Sequence, residues 1–302
     1  MMRMNGTVAA VISSALGGTA FVATRPIVGQ IDPVTLGVLR FGLGAPLLLL
    51  AALLMRERWP ERRDWPATVA LGLLMFGLFP VLFNISLMFT TAARAALAVS
   101  TLPLITMLVS AVLKIEPLSS RKSAGVALAM GGVAVALLAG LATAPDGAWR
   151  GDLIMGAGAL CMSLYTIWSR PYVRRAGPLS FTTIATASGA AGLGAISIAT
   201  GRIAVLARLD LFAWSMVAYL AVFGAAVVYW LWSFAVSHTT PTRVAISMAV
   251  NPLSAAIFGA LLLAEPVGWS LVLGLIAVAA GIWLASTSAR TSAHIPDPGP
   301  PA

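Results

Sequence analysis

Two stretches of the sequence decide the fold: residues 102–138 read LPLITMLVSAVLKIEPLSSRKSAGVALAMGGVAVALL, and residues 251–285 read NPLSAAIFGALLLAEPVGWSLVLGLIAVAAGIWLA. At an offset of 149 residues, Pro103 aligns with Pro252. The same offset pairs Trp65 with Trp214, Arg94 with Arg243, Glu116 with Glu265, Gly125 with Gly274, and Gly132 with Gly281. Random apolar sequence does not repeat its rarer residues at one fixed spacing, so the chain contains an internal duplication.

The duplication extends towards the N-terminus at a slightly different spacing. Arg25-Pro26 aligns with Arg170-Pro171, and Pro33 aligns with Pro178, at an offset of 145 residues. An insertion or deletion of about four residues between the two regions explains the change of offset. We predict a first five-helix repeat over residues 1–145, a second over 146–290, and a disordered Pro-rich tail over 291–302.

The composition is that of an integral membrane protein. Of the 302 residues 59% are hydrophobic and 10% are charged, whereas a soluble domain carries about 25% charged residues. A net charge of +9 would indicate nucleic acid in a soluble protein. Here the basic residues lie in short clusters between apolar runs, which is typical of loops that face anionic lipid. We therefore expect membrane lipid, and no nucleic acid, as a partner.

Apolar runs of about 20 residues predict helices that cross the ~30 Å hydrocarbon core. We place ten spans near residues 7–24, 34–55, 67–89, 93–113, 121–142, 151–169, 179–200, 214–236, 242–264 and 268–288. An even number of spans puts both termini on one side. That side holds 13 Lys and Arg residues and the other side holds 5, so the positive-inside rule predicts cytoplasmic termini in a cytoplasmic (inner) membrane.

An odd number of helices in each half has a structural consequence. The second half enters the membrane in the opposite sense to the first, which is the inverted-repeat plan of many secondary transporters. In such proteins the solute lies near the midplane, between halves that rock about it. A duplicated bundle with a purely structural role is the alternative.

The chain resembles the EamA family of the drug/metabolite transporter superfamily over residues 5–288. The resemblance rests on GGTAFVATRPIVGQIDPVTLGVLRF at residues 17–41 and on the two stretches quoted first. It implies ten helices, cytoplasmic termini and a central cavity lined mainly by helices 1, 3, 4, 6, 8 and 9, with helices 5 and 10 as scaffold. Within the family the sequence is similar to the YddG-like amino-acid exporter branch.

Polar and amphipathic residues recur on one face of several predicted spans. Asn84 of helix 3 and Ser233 of helix 8 coincide under the repeat. A polar stripe is unfavourable against lipid, so these faces are expected to point inward, either as a substrate lining or as contacts between helices. The predicted lining is Asn84, Ser100, Thr101, Tyr165, Tyr229, Ser233 and Asn251.

Two prolines and three arginines within or beside the spans have more than one interpretation. Pro103 and Pro252 fall in mid-span and predict bends, as ordinary kinks or as part of a gate. Arg94 and Arg243 begin helices 4 and 9, as interfacial anchors or as gates that attract a carboxylate. Arg40 lies about six residues into helix 2, so we expect it to snorkel outward at the helix entrance, where packing is favoured over substrate contact.

The remaining ionisable residues suggest little chemistry. Glu116 and Glu265 precede prolines at the starts of helices 5 and 10, where a carboxylate favours the helix dipole. Only His238 and His294 are histidines, and no GxxxxGK[ST] stretch is present, so we expect no metal, no cofactor, no ATP hydrolysis and no enzyme activity.

The favoured function is a secondary transporter that exports small metabolites, in particular aromatic or other apolar amino acids. A sugar-phosphate carrier needs cations in its cavity, and a proton-coupled multidrug or organic-cation exporter needs a carboxylate embedded in the membrane. The sequence places neither deep in a span. An intramembrane enzyme or receptor is the distant alternative. We expect the chain to act as a monomer or a weak homodimer. We also favour a facilitator over a proton-coupled carrier.

The charge count yields a prediction of topology. Reporter fusions at both termini and in the Arg56–Arg63 loop should all report the cytoplasmic side, because basic residues concentrate there. A fusion that places this loop outside the cell would contradict the charge argument.

Overall fold

The computed structural model describes residues 5–115, 120–139, 144–240, 244, 247–248 and 250–287. These residues form helices and contain no β-strand, which confirms an all-helical chain for this part of the sequence. Glu116, Arg243 and the predicted tail lie outside the described residues.

The helices fall into two similar series. The first comprises α1 Gly6–Thr24, α2 Pro33–Leu54, α3 Trp65–Gly72, α4 Phe79–Phe89, α5 Ala92–Val99, α6 Leu102–Val112 and α7 Ser120–Ala139. The second comprises α8 Ala148–Arg175, α9 Pro178–Ala199, α10 Leu211–Ala221, α11 Val228–His238, α12 Val250–Leu263 and α13 Trp269–Thr287. Six-residue π-helical turns join α3 to α4 over Leu73–Leu78, and α10 to α11 over Val222–Val227.

Seven helical segments in the described part are long and apolar enough to cross a membrane. They are Gly6–Thr24, Pro33–Leu54, Arg62–Phe89, Ala92–Val112, Ala148–Arg175, Pro178–Ala199 and Leu211–His238. Three shorter apolar helices, at Ser123–Ala139, Val250–Leu263 and Trp269–Gly281, coincide with the other predicted spans. The count of ten spans and the side on which the termini lie stay predictions.

The duplication is visible in the backbone. Helices α2 and α9 begin and end 145 residues apart, and the two π turns lie 149 residues apart. Equivalent helices also have equivalent partners in the other half. Helix α1 packs against α11 and α12, and its repeat equivalent α8 packs against α4, α5 and α6. The equivalent pairs α2 with α9, and α7 with α13, pack directly on each other. This reciprocity is what an approximate two-fold relation between the halves produces.

The first π turn is held against α9 by glycines. A Cβ at Gly189 would overlap Phe76 and lie 2.8 Å from the carbonyl oxygen of Gly72, and a Cβ at Gly72 would overlap Ser188 and the carbonyl oxygen of Ala185. Small residues permit this approach of two backbones, as is usual between membrane helices. The π turn is therefore fixed by contacts with the other half of the chain.

Each half supplies a glutamate that caps a helix of the other half. Glu57, after α2, accepts from the backbone N–H of Leu179 at 2.8 Å and of Ser180 at 3.2 Å, at the start of α9. Glu265, after α12, accepts from the N–H of Ala92 at 3.1 Å, at the start of α5. Because consecutive helices run in opposite directions, these two caps lie at opposite ends of the bundle.

The cap made by Glu265 corrects our expectation for this residue. The helix that follows it, α13, begins only at Trp269, so Glu265 does not act on the dipole of its own helix. Its carboxylate accepts from the N–H of Ala92 at the start of α5 and lies 3.9 Å from Arg25 Nε.

A buried ion pair joins the halves at the same end of the bundle as the Glu265 cap. Arg94 Nη2 donates to Asp152 Oδ2 at 2.6 Å, and both side chains are about 10% exposed. Thr90 Oγ1 donates to the other carboxylate oxygen at 3.2 Å. Arg94 is thus tied to the first turns of α8, and its guanidinium is not free at the membrane interface.

Glycine contacts predict sharply different effects of adding one methyl group to α9. Gly189→Ala should lower the free energy of unfolding by ~1–3 kcal/mol, because its Cβ has no space beside Phe76. Gly194→Ala, on the same helix but with open space around the glycine, should be neutral or slightly stabilising. Thermal unfolding of the purified variants in detergent measures the difference, and equal midpoints would contradict the packing described here.

Replacing one partner of the Arg94–Asp152 pair should destabilise the protein more than replacing both partners. Asp152→Leu leaves a buried guanidinium unpaired and should destabilise the protein by roughly 3–5 kcal/mol. The double variant Arg94→Met/Asp152→Leu should recover most of that loss, since no charge remains buried. Thermal unfolding in one detergent compares the three proteins, and a double variant no more stable than the single one would refute the coupling.

Candidate functional site

A small cavity lies where the two halves meet. Its walls come from α1, α2, α4, α5, α8, α11 and α12, and are formed by Ser13, Gly17, Phe21, Arg40, Phe79, Phe83, Val99, Met162, Val228, Tyr229, Trp232, Met248 and Asn251. Its volume is about 30 Å³, space for no more than a few water molecules. Small-molecule sites usually measure about 300–1,000 Å³, so the cavity in this conformation is too small to hold a metabolite.

Aromatic side chains form five of the thirteen lining residues and continue into the core beside the cavity. The rings of Phe21 and Phe83 lie 4.6 Å apart, centroid to centroid. Tyr229 packs edge-on against Phe76 at 4.8 Å and lies 5.7 Å from Phe41. Such tilted and edge-to-face pairs are the favoured aromatic geometry. They give the cavity a firm apolar surface that suits a flat or aliphatic group.

Arg40 lies in the cavity wall, which contradicts our expectation that it snorkels outward. The residue is 5% exposed, and its Nη2 donates to the carbonyl oxygen of Gly224 at 2.6 Å. Its guanidinium carbon lies 5.1 Å and 5.4 Å from the ring centroids of Phe41 and Phe83, a cation–π arrangement. Helix α2 packs on the second π turn, and the Arg40 side chain points towards that turn because Gly224 offers it a carbonyl group.

The second π turn supplies this carbonyl. In a regular α-helix each interior carbonyl accepts from the N–H four residues on, whereas a π turn shifts that pairing by one residue. Gly224, within the turn, accepts from Arg40, and Val228, just after it, accepts from Ser13 Oγ at 2.8 Å. A Cβ at position 224 would lie 3.4 Å from Arg40 Nη2, so the guanidinium packs directly against this glycine.

Of the seven predicted lining residues, two line this cavity. Tyr229 contributes its ring, and Asn251, 2% exposed, has a carbonyl oxygen Oδ1 with no hydrogen-bond partner in the described structure. Its Nδ2 lies 3.8 Å from the sulfur of Met248. Asn251 therefore presents a free acceptor where the two halves meet.

Three of the other five predicted residues, Asn84, Ser233 and Tyr165, contact neighbouring elements in this conformation. Asn84 donates to the carbonyl oxygen of Pro33 at 2.8 Å, and Ser233 accepts from Thr182 Oγ1 at 2.5 Å. Ser100 donates to Ala96 in its own helix. Tyr165 packs on Phe76 with ring centroids 5.7 Å apart, and Thr101 Oγ1 is buried without a described partner. These groups fix helix positions around the cavity.

The proline of the first repeat starts a helix. Helix α5 ends at Val99, the Ser100 and Thr101 N–H groups each bond three residues back, and α6 begins at Leu102 with Pro103 in its first turn. Proline is tolerated there because first-turn N–H groups have no intrahelical partner. Val99 and its repeat equivalent Met248 both line the cavity. Pro252 lies in the first turn of α12, and the N–H of Asn251 bonds to Met248, again three residues back.

Sequence reasoning missed Arg40 and the π turns for identifiable reasons. Distance from the start of a helix predicted outward snorkelling for Arg40, but said nothing about which face of α2 the residue occupies. A π turn has no strong sequence signal, although both turns contain a glycine, Gly77 and Gly224. In the described part of the chain no group of three or more His, Cys, Asp or Glu residues could hold a metal ion.

Known proteins share this architecture. A solved structure entitled "Crystal structure of protein" superposes with a TM-score of 0.72 at 20% identity, over 96% of this chain and 99% of that one, which shows a common fold. The uncharacterized transporter YyaM of Bacillus subtilis is 24% identical over 89% of each chain. The uncharacterized protein PA1977 of Pseudomonas aeruginosa is 30% identical over 84% of each chain.

One relative has a named class of solute. A probable terminal-alkyne amino-acid exporter of Streptantibioticus cattleyicolor is 24% identical over 90% of each chain. The model of the EamA-like transporter family matches twice, at residues 4–138 and 149–287. With apolar helices throughout its described part, the chain is a multi-pass membrane protein that belongs to the EamA-like transporter family.

Proposed function

We propose that this protein exports small amphipathic metabolites, amino acids in particular, across the cytoplasmic membrane by alternating access. The observation that carries the proposal is the cavity between the repeats, where aromatic walls surround a few hydrogen-bonding groups. Such a lining suits a solute with one apolar and one polar part. The relative named as an amino-acid exporter supports the same class of solute.

The small volume of the cavity fits a transport cycle in which the halves rock and enlarge it. Helix α1 packs against α12 so closely that a Cβ at Gly18 would overlap Ser254. Separation of such helix pairs would open the cavity to one side of the membrane, in the manner of inverted repeats. Since the cavity lies within one chain, we propose the monomer as the transporting unit, with transport and not catalysis as its activity.

An organic-cation exporter is the weaker candidate. Arg40 places a positive charge in the cavity wall, and none of the ion pairs in the described structure includes Arg40. A cationic solute would be repelled there. The buried carboxylate of Asp152 is engaged by Arg94 instead of facing the cavity. The charge distribution thus favours neutral, zwitterionic or anionic solutes.

Matched asparagine variants test the site. In proteoliposomes that take up radiolabelled L-phenylalanine, Asn251→Leu should raise KM about tenfold, because the variant lacks the acceptor facing the solute. Asn84→Leu should leave KM within about twofold of wild type and lower thermal stability by ~1 kcal/mol, because it removes only the bond to Pro33.

The controls separate folding from function. Each variant is purified to a monodisperse peak, and its flux is expressed per reconstituted protein. If Asn84→Leu raises KM as much as Asn251→Leu, the polar faces act together and the cavity is assigned too narrowly. If wild-type protein moves no amino acid from a full panel faster than empty liposomes, the amino-acid proposal is wrong.

A further inference from the structure

The guanidinium of Arg40 has hydrogen-bonding capacity that the protein does not use. Arginine carries five N–H donors in a planar fork. Nη2 donates to Gly224, while Nε is buried and has no hydrogen-bond partner in the described part of the chain. Both groups lie in a side chain that forms part of the cavity wall. A further acceptor is therefore missing at this position.

The positive charge is also without a counter-charge. The described ion pairs link other arginines to acidic residues, and none includes Arg40. Two phenyl rings stabilise the cation in part, but they carry no net charge. A charge at this depth in a membrane protein is unfavourable and commonly marks a solute or ion pathway. An anionic group on the transported solute would supply what the protein lacks.

The environment of Arg40 is not duplicated in the second half. Under the repeat its position is occupied by Ala185, which is fully buried against the first π turn near Gly72. The cation therefore makes the cavity asymmetric within a nearly symmetric fold. Asn251, in the same wall, offers an unpaired acceptor for an N–H donor.

We propose that Arg40 binds the carboxylate of the transported solute, an inference that rests on the proposed transport function. A carboxylate matches the guanidinium fork with two parallel charge-assisted hydrogen bonds. The bond to Gly224 holds the guanidinium in place before the solute arrives. Asn251 accepts from the amino group of the same solute, and the aromatic wall packs on its side chain. The site thus selects a carboxylic acid with an adjacent amino group and an apolar remainder.

A set of three probes separates the charges of such a solute. Phenylacetate carries only the carboxylate, phenethylamine only the ammonium group, and L-phenylalanine both. Binding is measured first as thermal stabilisation of the purified full-length protein in detergent, which does not depend on transport. Uptake of radiolabelled L-phenylalanine into proteoliposomes, with the other two probes as competitors, is measured next.

We expect wild-type protein to be stabilised by phenylacetate and L-phenylalanine, and not by phenethylamine. Arg40→Gln should weaken the binding of both carboxylates on the order of tenfold to a hundredfold, and phenylacetate should no longer compete for uptake. Arg40→Lys should lie between the two, because it keeps the charge but loses the fork. Arg202→Gln, which removes a half-exposed arginine paired with Asp32, serves as the charge control and should behave as wild type.

The outcomes distinguish this proposal from the transport function. If Arg40→Gln keeps wild-type affinity for phenylacetate within twofold, or if wild-type protein binds no carboxylate probe, Arg40 only links α2 to the second π turn and the proposal is overturned. If wild-type protein binds phenylacetate through Arg40 yet moves no L-phenylalanine, the transport proposal fails and the carboxylate site stands. If Arg40→Gln is not monodisperse but Arg40→Lys is, the lysine variant provides the test. Its affinity for carboxylates must then fall below that of wild type, because lysine lacks the guanidinium fork.

Discussion

Every backbone polar group in the hydrocarbon core must find a partner inside the protein, and this constraint governs the structure at each scale. It makes the described chain helical. It also means that each departure from a regular helix changes which carbonyls are available. Ser13 and Arg40 bond to carbonyls in and just after the second π turn, and Glu57 and Glu265 satisfy N–H groups at helix starts. The side chains around the cavity are therefore arranged by the irregularities of the helices.

The duplicated fold supplies two copies of each irregularity, but the side chains use them differently. Both π turns lie against a helix of the other half, and each approach relies on small residues. At the first turn Gly72 and Gly189 let backbones touch, and no charge is present. At the second turn the equivalent space receives Arg40, whereas the residue that corresponds to Arg40 at the first turn is the small Ala185. The backbones of the two halves are thus nearly symmetric, whereas Arg40 makes the cavity between them chemically asymmetric.

The fold could be predicted from the sequence to a large extent because its signals are local and strong. Long apolar runs fix where helices lie, and the repeated Pro, Glu-Pro and Gly residues fix the duplication. The cavity was predicted less well because polar residues on one helix face can meet either a solute or another helix. Asn84 and Ser233 meet other helices, at Pro33 and Thr182. Arg40 shows the same limit, since the direction of its side chain depends on a carbonyl that only tertiary packing brings near.

Contacts that join the two halves lie at both ends of the bundle. At one end Glu265 caps α5, and Arg94 pairs with Asp152. At the other end Glu57 caps α9, and Arg175 pairs with Asp64 through two hydrogen bonds of 2.9 Å and 3.1 Å. Each of these contacts joins the two halves, so the cavity can open to one side only if the contacts at that end separate. The buried ion pair is costly to break without replacement, whereas a cap can exchange its partner for water at a membrane surface. The pair at the Arg94 end is about 10% exposed on both sides, whereas Arg175 at the other end is 47% exposed. In the proposed transport cycle, opening at the Arg94 end would therefore break the more deeply buried pair.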